Sequence, residues 1–283
     1  LNNSGIVVLG GGVIGLSIAL RMLNAGKEVV LIDPEEPGTG TSFGNAGTIA
    51  EYAVLPVGSP EIIRQLPSLL FNKNSPIAIK RSAILSLCPW LIRFLYQSLP
   101  KNAARNAQAI ASLLQGSRLR WEELSSQIGG RSIVKTNGNL YLYNSNELLK
   151  SGIQDISKRK TLGLNAEILN IYELKKLEPN LNFIEGGASY FPDGAYMNDP
   201  GEMVKLILDA SVKKGCQVKR QAATKIERMS DGIKIHLDDQ TTIMAKHLVV
   251  AAGAYSKKFA LQVGDKIPLD TERGYHVEYD MVK

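Results

Sequence analysis

The chain is poor in cysteine, poor in histidine and without a long unbroken apolar run, and each shortage removes a class of protein. Cys88 and Cys216 are the only cysteines in 283 residues, stand far apart and form no C-x-x-C pair. A disulfide scaffold and a cysteine zinc site therefore lack raw material. The expectation that follows is a reducing compartment, the cytoplasm. His236, His247 and His276 are scattered and form no H-x-x-x-H pair, so no metal site is expected. His236 alternates with Ile233, Ile235 and Leu237 and is expected on a wet face; His247 marks the exposed end of an apolar strand. Residues 1–20 carry no charge, yet Gly5, Gly10, Gly11, Gly12 and Gly15 interrupt them and no basic segment precedes them. Neither a signal peptide nor a bilayer span fits that pattern. The other apolar stretch, Ile84 to Ile92, is shorter and contains Pro89, and the chain opens at Leu1, which reads as a trimmed or mis-started beginning.

What is present suits a globular protein. A hydrophobic fraction of 44% against 21% charged residues supports a sizeable core, arranged as one large domain or two smaller ones. The net charge of +6 is unevenly placed. Lys80 to Lys135 holds nine bases against two acids, a net of +7, which leaves −1 for the remainder. A local excess of this kind serves an anionic partner or is a solvated helical face. Nucleic acid is not expected, because no nucleic-acid-binding module accompanies the charge.

Along the chain, Ile6 to Leu9 reads as a buried strand that runs into Gly10-Gly11-Gly12. Val13, Ile14, Leu16, Ala19, Leu20 and Leu23 then repeat at helical spacing until Gly26. A second strand, Val29 to Ile32, ends at Asp33-Pro34 and completes a βαβ unit. Residues 61–128 read as mostly helical, with Ala107, Ile110, Leu114, Trp121, Leu124 and Ile128 on one face. Ser132 to Tyr143 reads as two strands of a hairpin around Asn137-Gly138 in an antiparallel sheet. Helices with a strand at Ala166 to Leu169, and a further strand at Ala188 to Phe191, follow. Asp199 with Pro200 opens a helix that ends by Gly215. A meander is expected over Gln217 to Lys219, Thr224 to Met229, Ile233 to Leu237 and Thr242 to Ala245, then an apolar strand from His247 to Ala251 entering Ala252-Gly253.

Gly10-x-Gly12-x-x-Gly15 sits between a predicted strand and a predicted helix, the context in which this spacing binds a dinucleotide. Gly10 permits the turn, Gly12 lets the backbone approach a diphosphate, and Gly15 lets helix and strand pack closely. Val13, Ile14 and Pro34 adjoin that loop, and Asp33 stands where an acid bonds the ribose hydroxyls and disfavours a 2′-phosphate. NAD and FAD remain. An NAD domain continues with further βαβ units, whereas this chain leaves on a helical excursion and returns with helix, strand and meander, an order that suits FAD.

Taken together, the glycine loop, Gly40-Thr41-Ser42-Phe43-Gly44-Asn45-Ala46-Gly47, Asp199-Pro200, Ala251-Ala252-Gly253-Ala254-Tyr255-Ser256 and Arg273-Gly274-Tyr275-His276 resemble the D-amino acid oxidase superfamily of FAD-dependent oxidoreductases, and within it the bacterial D-amino acid dehydrogenases. The resemblance covers nearly the whole chain. It implies an α/β fold, a Rossmann-like FAD-binding domain with an inserted α+β substrate domain built on an antiparallel sheet. The corresponding ranges are 1–60 and 193–262 for the FAD-binding domain, 61–129 for a helical excursion, and 130–192 with 263–283 for the substrate domain. It also implies that Thr41, Ser42, Asn45, Ala46 and Gly47 line the flavin, that Val218 meets the adenine end through its backbone, and that Ala252 and Gly253 sit by the cofactor. Without the resemblance, Asn45-Ala46-Gly47 is simply a turn. Members of the family continue past the Arg-Gly-Tyr segment with elements that close over the flavin, and Lys283 precedes these. The chain is thus expected to be a fragment, to be completed by a partner chain, or to lack activity.

The implied reaction is oxidative deamination of a D-amino acid to a 2-oxo acid and ammonia, with hydride passing from Cα to flavin N5 and electrons leaving to a quinone or respiratory chain. The cofactor performs the difficult step, so positioning groups are sought in place of a triad or a metal. Arg273 is a candidate fork for the substrate carboxylate, with Tyr275 or His276 to orient it, although the family's usual carboxylate arginine falls in the missing tail. A glycine- or sarcosine-type amine oxidase on the same fold, releasing hydrogen peroxide, and an incomplete non-catalytic flavin-binding chain are the alternatives. Trp90, Leu91, Ile92, Phe94, Leu95 and Tyr96 amid basic residues suit an interfacial helix, and therefore a peripheral contact with the inner face of the cytoplasmic membrane, or else an ordinary core face. Tyr52 either edges the pocket or lies in the core.

Overall fold

The computed structural model describes residues 3–64, 84–181, 184–275 and 277. In chain order the strands are β1 (Asn3–Leu9), β2 (Val29–Asp33), β3 (Thr48–Ile49), β4 (Val134–Lys135), β5 (Asn139–Tyr143), β6 (Glu167–Leu169), β7 (Gly187–Phe191), β8 (Ala195–Met197), β9 (Gln217–Arg220), β10 (Ala223–Met229), β11 (Gly232–Leu237) and β12 (Thr242–Val250). The helices considered are α1 (Val13–Asn24), α2 (Ile84–Gln97), α3 (Pro100–Leu114), α4 (Ser117–Gln127), α5 (Asn146–Thr161), α6 (Ile171–Leu177), α7 (Pro200–Lys213) and α8 (Ser256–Gln262). Two compact units result: Leu1–Gly47, Ser125–Ile133 and Asn198–Lys283 form the first, and Thr48–Leu124 with Val134–Met197 the second.

A six-stranded sheet in the order β10-β11-β12-β1-β2-β9 organises the first unit. β12, β1, β2 and β9 are mutually parallel, and β10 and β11 extend the sheet antiparallel from β12. This is the α/β, Rossmann-like class expected of the sequence. Val7, Val8 and Leu9 are all buried, as a central parallel strand covered on both faces requires. Val7, Leu9, Val30 and Ile32 join Ile226, Ile235, Leu237 and Phe259 in one core. Val8 and Leu31 alternate to the opposite side, where α1 and α7 bury Leu16, Ala19, Leu20, Met203, Val204 and Ile207. At roughly 1.5–3 kcal/mol for each fully buried aliphatic side chain, these two layers hold the sheet in place.

Local chemistry sets the helix ends. The Asp199 side chain accepts a hydrogen bond from Glu202 N at 2.8 Å, with Pro200 in the first turn of α7. Gly26, at φ +72°, ends α1 by donating to Leu23 O at 2.9 Å.

Three strand pairings and one helix depart from the sequence expectation. β9 is not the first strand of a meander but a parallel neighbour of β2, with Val218 opposite Leu31. The two strands expected at Thr242 to Ala245 and His247 to Ala251 are one continuous strand, because β12 pairs with β11 at its start and with β1 along its length. No hairpin forms at Asn137-Gly138: β4 pairs with β8 while β5 pairs with β7. Gly138 does turn, at φ +81°, but its N–H donates to Gly194 O at 3.1 Å and sends the two strands into different sheets. Finally, Gly116, at φ +74°, separates α3 from α4, so Ala107 to Ile128 is not a single helical face.

The second unit contains two antiparallel three-stranded sheets, β3-β8-β4 and β5-β7-β6. Tyr52 belongs to its core: the ring is buried and stacks on Phe191 at 4.3 Å, with Tyr141 edge-on at 5.6 Å. Burial, followed by neighbouring Tyr141, pushes its phenol up to about 12. Arg159 Nε donates to Tyr52 O at 3.1 Å, and its guanidinium lies 5.5 Å from the Phe191 ring centre. Glu51 accepts from Gly116 N at 2.6 Å, where α4 begins.

Candidate functional site

At the carboxyl ends of β12, β1 and β2 the first unit opens into a cleft of about 1050 Å³. That is the edge at which open parallel sheets bind ligands, and the volume matches the upper end of the roughly 300–1,000 Å³ common for small-molecule pockets. The glycines after β1 make its floor possible. Gly10 has φ +105°, and a Cβ there would stand 2.3 Å from Ala251 O. A Cβ on Gly15 would stand 1.8 Å from Gly10 O, so close packing of α1 on its own loop excludes every side chain. Gly12 differs: its backbone is extended (φ −73°, ψ 178°), and a Cβ would meet only Ser42 Oγ, at 3.2 Å. The fold leaves space at Gly12, and that space faces the cleft.

Two side chains brace the loop. Asp33, at the end of β2, accepts from Gly11 N at 2.6 Å through one carboxylate oxygen and from Glu35 N at 2.9 Å through the other. A carboxylate has about four acceptor positions, so hydroxyls can still be held. Ser42 Oγ accepts from Val13 N at 2.9 Å. Asn45 Nδ2 donates to Ser42 O at 2.9 Å and Asn45 Oδ1 accepts from Gly47 N at 2.8 Å, which fixes the turn that presents Ser42. Gly12 caps α1 without a side-chain acceptor, and the first turn contains no acid. With Gly11 N taken by Asp33 and Val13 N by Ser42, the other amides at the positive end of the α1 dipole are left for an anion. Residues of this kind fit the diphosphate and ribose of a dinucleotide.

Gly10, Gly12, Val13, Ile14, Asp33, Pro34, Thr41, Ser42, Ala252 and Gly253 line this one cleft. Gly15 lies behind the loop, Val218 is paired in the sheet, and Asn45, Ala46 and Gly47 form the supporting turn; none of these five is part of the lining. Arg273 and Tyr275 are exposed, Tyr275 with 87% of its surface accessible, and are not among the residues that line the cleft. His276 lies outside the described residues. The cleft also takes in Gly38, Thr39, Gly40, Gln221, Ala222, Ala223, Tyr255 and Lys258, which sequence reasoning did not single out as cofactor contacts. Gly38, at φ +92° and against Val204, carried a readable signal as a glycine beyond a strand end; Gln221 to Ala223 carried none, since only the pairing of β9 brings them there.

Other reactive groups lie elsewhere. His236 Nε2 is 2.6 Å from Glu227 Oε2, and Lys225, then His236, hold that exposed carboxyl at about 2. Cys216 is buried, and burial pushes its thiol up, which keeps it protonated. Among the described residues no group of three His, Cys, Asp or Glu is placed to hold a metal, and no helix is long and apolar enough to cross a membrane.

Comparison with known proteins agrees with this geometry. The family model described as "FAD dependent oxidoreductase" (DAO) matches residues 5–283. The chain is 30% identical over 275 residues to a D-amino-acid oxidase of Bradyrhizobium diazoefficiens, covering 96% of this chain and 65% of the relative. To a D-amino acid dehydrogenase of Rhizobium rhizogenes it is 26% identical over 283 residues, covering 98% and 68%. Among solved structures, glycine oxidase from Geobacillus kaustophilus superimposes with a TM-score of 0.65 at 19% identity, over 93% of this chain and 59% of that one. The chain thus spans about two thirds of the curated relatives it matches and rather less of the solved structure.

Proposed function

The chain belongs to the DAO family of FAD-dependent oxidoreductases, and from that premise we propose that it deaminates D-amino acids oxidatively, handing the electrons to a quinone or respiratory chain. The observation that carries this reading is the single cleft shared by the Gly10–Gly15 turn and the Ala251–Gly253 strand end, together with two relatives whose names specify D-amino acids. FAD is the family's cofactor, and when bound it accepts a hydride from the substrate Cα.

The residues divide the work of holding it. The amides after β1 and the α1 N-terminus take the diphosphate, with Gly12 giving the close approach and Val13, Ile14 and Gly15 the first turn. Asp33 and Pro34 take the adenosine ribose, Val218 the adenine through its backbone, and Ala252 and Gly253 the opposite wall. Thr41, Ser42, Asn45, Ala46 and Gly47 form the edge toward the flavin ring. Residues 1–60 and 193–262 serve as the FAD-binding domain, 61–129 as a helical excursion and 130–192 as the substrate domain; residues 263–283, grouped with the substrate domain by the resemblance but part of the first compact unit, carry Arg273, Tyr275 and His276 for the substrate carboxylate.

The deciding experiment is a visible spectrum of the purified protein with FAD, followed by anaerobic addition of D-amino acids, their L-enantiomers, glycine and sarcosine. A flavin spectrum bleached by D-amino acids alone is expected; bleaching by L-enantiomers or by glycine and sarcosine alone would overturn the substrate assignment. Likeness to glycine oxidase favours a second reading, an oxidase of glycine-type amines, which hydrogen peroxide release would identify. A protein that takes up no FAD would leave neither reading standing.

The membrane side of the proposal rests on α2. Leu85, Trp90 and Ile92 are 86%, 56% and 68% accessible, and Arg93 lies on the same helix. Apolar side chains exposed beside a cation suit the interface of an anionic bilayer. Co-sedimentation with vesicles containing anionic lipid at low salt is expected, and a protein left wholly in the supernatant would remove this part of the reading.

A further inference from the structure

We propose that Lys258 is a positioning residue for the diphosphate of the bound dinucleotide, supplying the full positive charge among the described lining residues; the inference rests on the flavin reading and deepens it. Three carboxylates line the cleft, those of Asp33, Glu35 and Glu36, while Lys258 is the only lysine or arginine among the described lining residues. A doubly anionic diphosphate entering such a site meets an excess of like charge that the partial charge of a helix terminus offsets only in part. Arg220 pairs with Glu36 at 3.0 Å and is not part of the lining.

The short helix α8 is built to hold this lysine where it is. Phe259 is buried in the core beneath the sheet and anchors the helix. Lys258, one position earlier, has its ammonium 5.7 Å from the Phe259 ring centre. Tyr255, just before α8 and 75% accessible, lines the same cleft. Among the described residues no carboxylate lies within ion-pair distance of Lys258, so its charge is not already spent on a structural partner. A lysine ammonium on a flexible stem serves a phosphate as a point charge. Its neighbour Lys257 is exposed too but does not line the cleft, which provides an internal control of identical charge.

The test is FAD binding to the apoprotein, read by quenching of flavin fluorescence over a salt series, with ADP displacement as a second readout. Lys258→Gln is expected to weaken FAD and ADP about fivefold at low salt, the scale of one partly exposed charge contact, and to flatten the salt dependence. Lys258→Arg should restore most of the affinity, and Lys257→Gln should bind as the parent does. If the parent binds FAD and Lys258→Gln binds it equally well, or if Lys257→Gln loses as much, the assignment of Lys258 is overturned while the flavin reading stands. A parent protein with no affinity for FAD overturns both.

Discussion

Gly15→Ala is expected to lower the melting temperature of the apoprotein by about 10 °C and to abolish FAD uptake. The added Cβ would stand 1.8 Å from Gly10 O and 3.0 Å from Gly10 C, with Ala251 Cβ at 3.4 Å. The obstructing atoms are backbone, so no rotamer change relieves them. Gly10 has no freedom to retreat, since its own missing Cβ already faces Ala251 O at 2.3 Å. α1 would have to lift from β1, loosening the layer that buries Leu16, Ala19 and Leu20. Overpacking of this severity costs about 3 kcal/mol or more, and in a protein of this size each kcal/mol lowers the melting temperature by roughly 2–4 °C. Thermal melts of parent and variant decide the matter, and an unchanged melt would mean that the helix does not pack as described.

Gly12→Ala should behave in the opposite way, keeping the fold and losing the cofactor. The backbone at Gly12 is one that any residue adopts, and the new methyl would meet only Ser42 Oγ at 3.2 Å, a contact relieved by a few tenths of an ångström. A stability change within about 1 kcal/mol is expected. That methyl, however, occupies the wall against which the diphosphate is proposed to lie. Losing close approach of the α1 amides to a charged group should weaken FAD at least about 100-fold, equivalent to roughly 2.7 kcal/mol. Flavin-fluorescence titration and a melt of the apoprotein measure both quantities on one sample. A variant that binds FAD as the parent does would place the diphosphate away from Gly12, whereas a variant that unfolds would contradict the space described around it. The two glycines, three residues apart, thus separate a requirement of the fold from a requirement of the ligand.

Much of the site was readable because its signals are local. The Gly10–Gly15 spacing, the apolar repeat of α1 and the Asp199 cap each involve residues within a turn or two of one another, and Gly15 against Gly10 O and Asp199 with Glu202 N show the close contact and the hydrogen bond that these residue types demand, whereas the bond of Asp33 to Gly11 N spans 22 residues. Asn45-Ala46-Gly47 was readable as a turn from its composition; that it braces Ser42 against Val13 N was not, because that contact joins segments 29 residues apart. The residue types of Arg273 and Tyr275 suggest a carboxylate fork; both are exposed and neither lines this cleft, so the role proposed for them at the substrate rests on residue type alone.

From the sequence alone follow the βαβ opening, the α/β class, the glycine loop between β1 and α1 and the acid at the end of β2, since periodicity and glycine conformation act over short distances whatever the rest of the chain does. Only the tertiary structure decided that β9 lies parallel to β2, that β4 and β5 enter different sheets, and that Gln221 to Ala223, Tyr255, Ser256 and Lys258 wall the same cleft as Gly10. The alternation of side chains along a strand says which face is buried but not which strand lies beside it. That choice belongs to the packing of whole layers, where Phe259 and Ile226 share one core although 33 residues separate them.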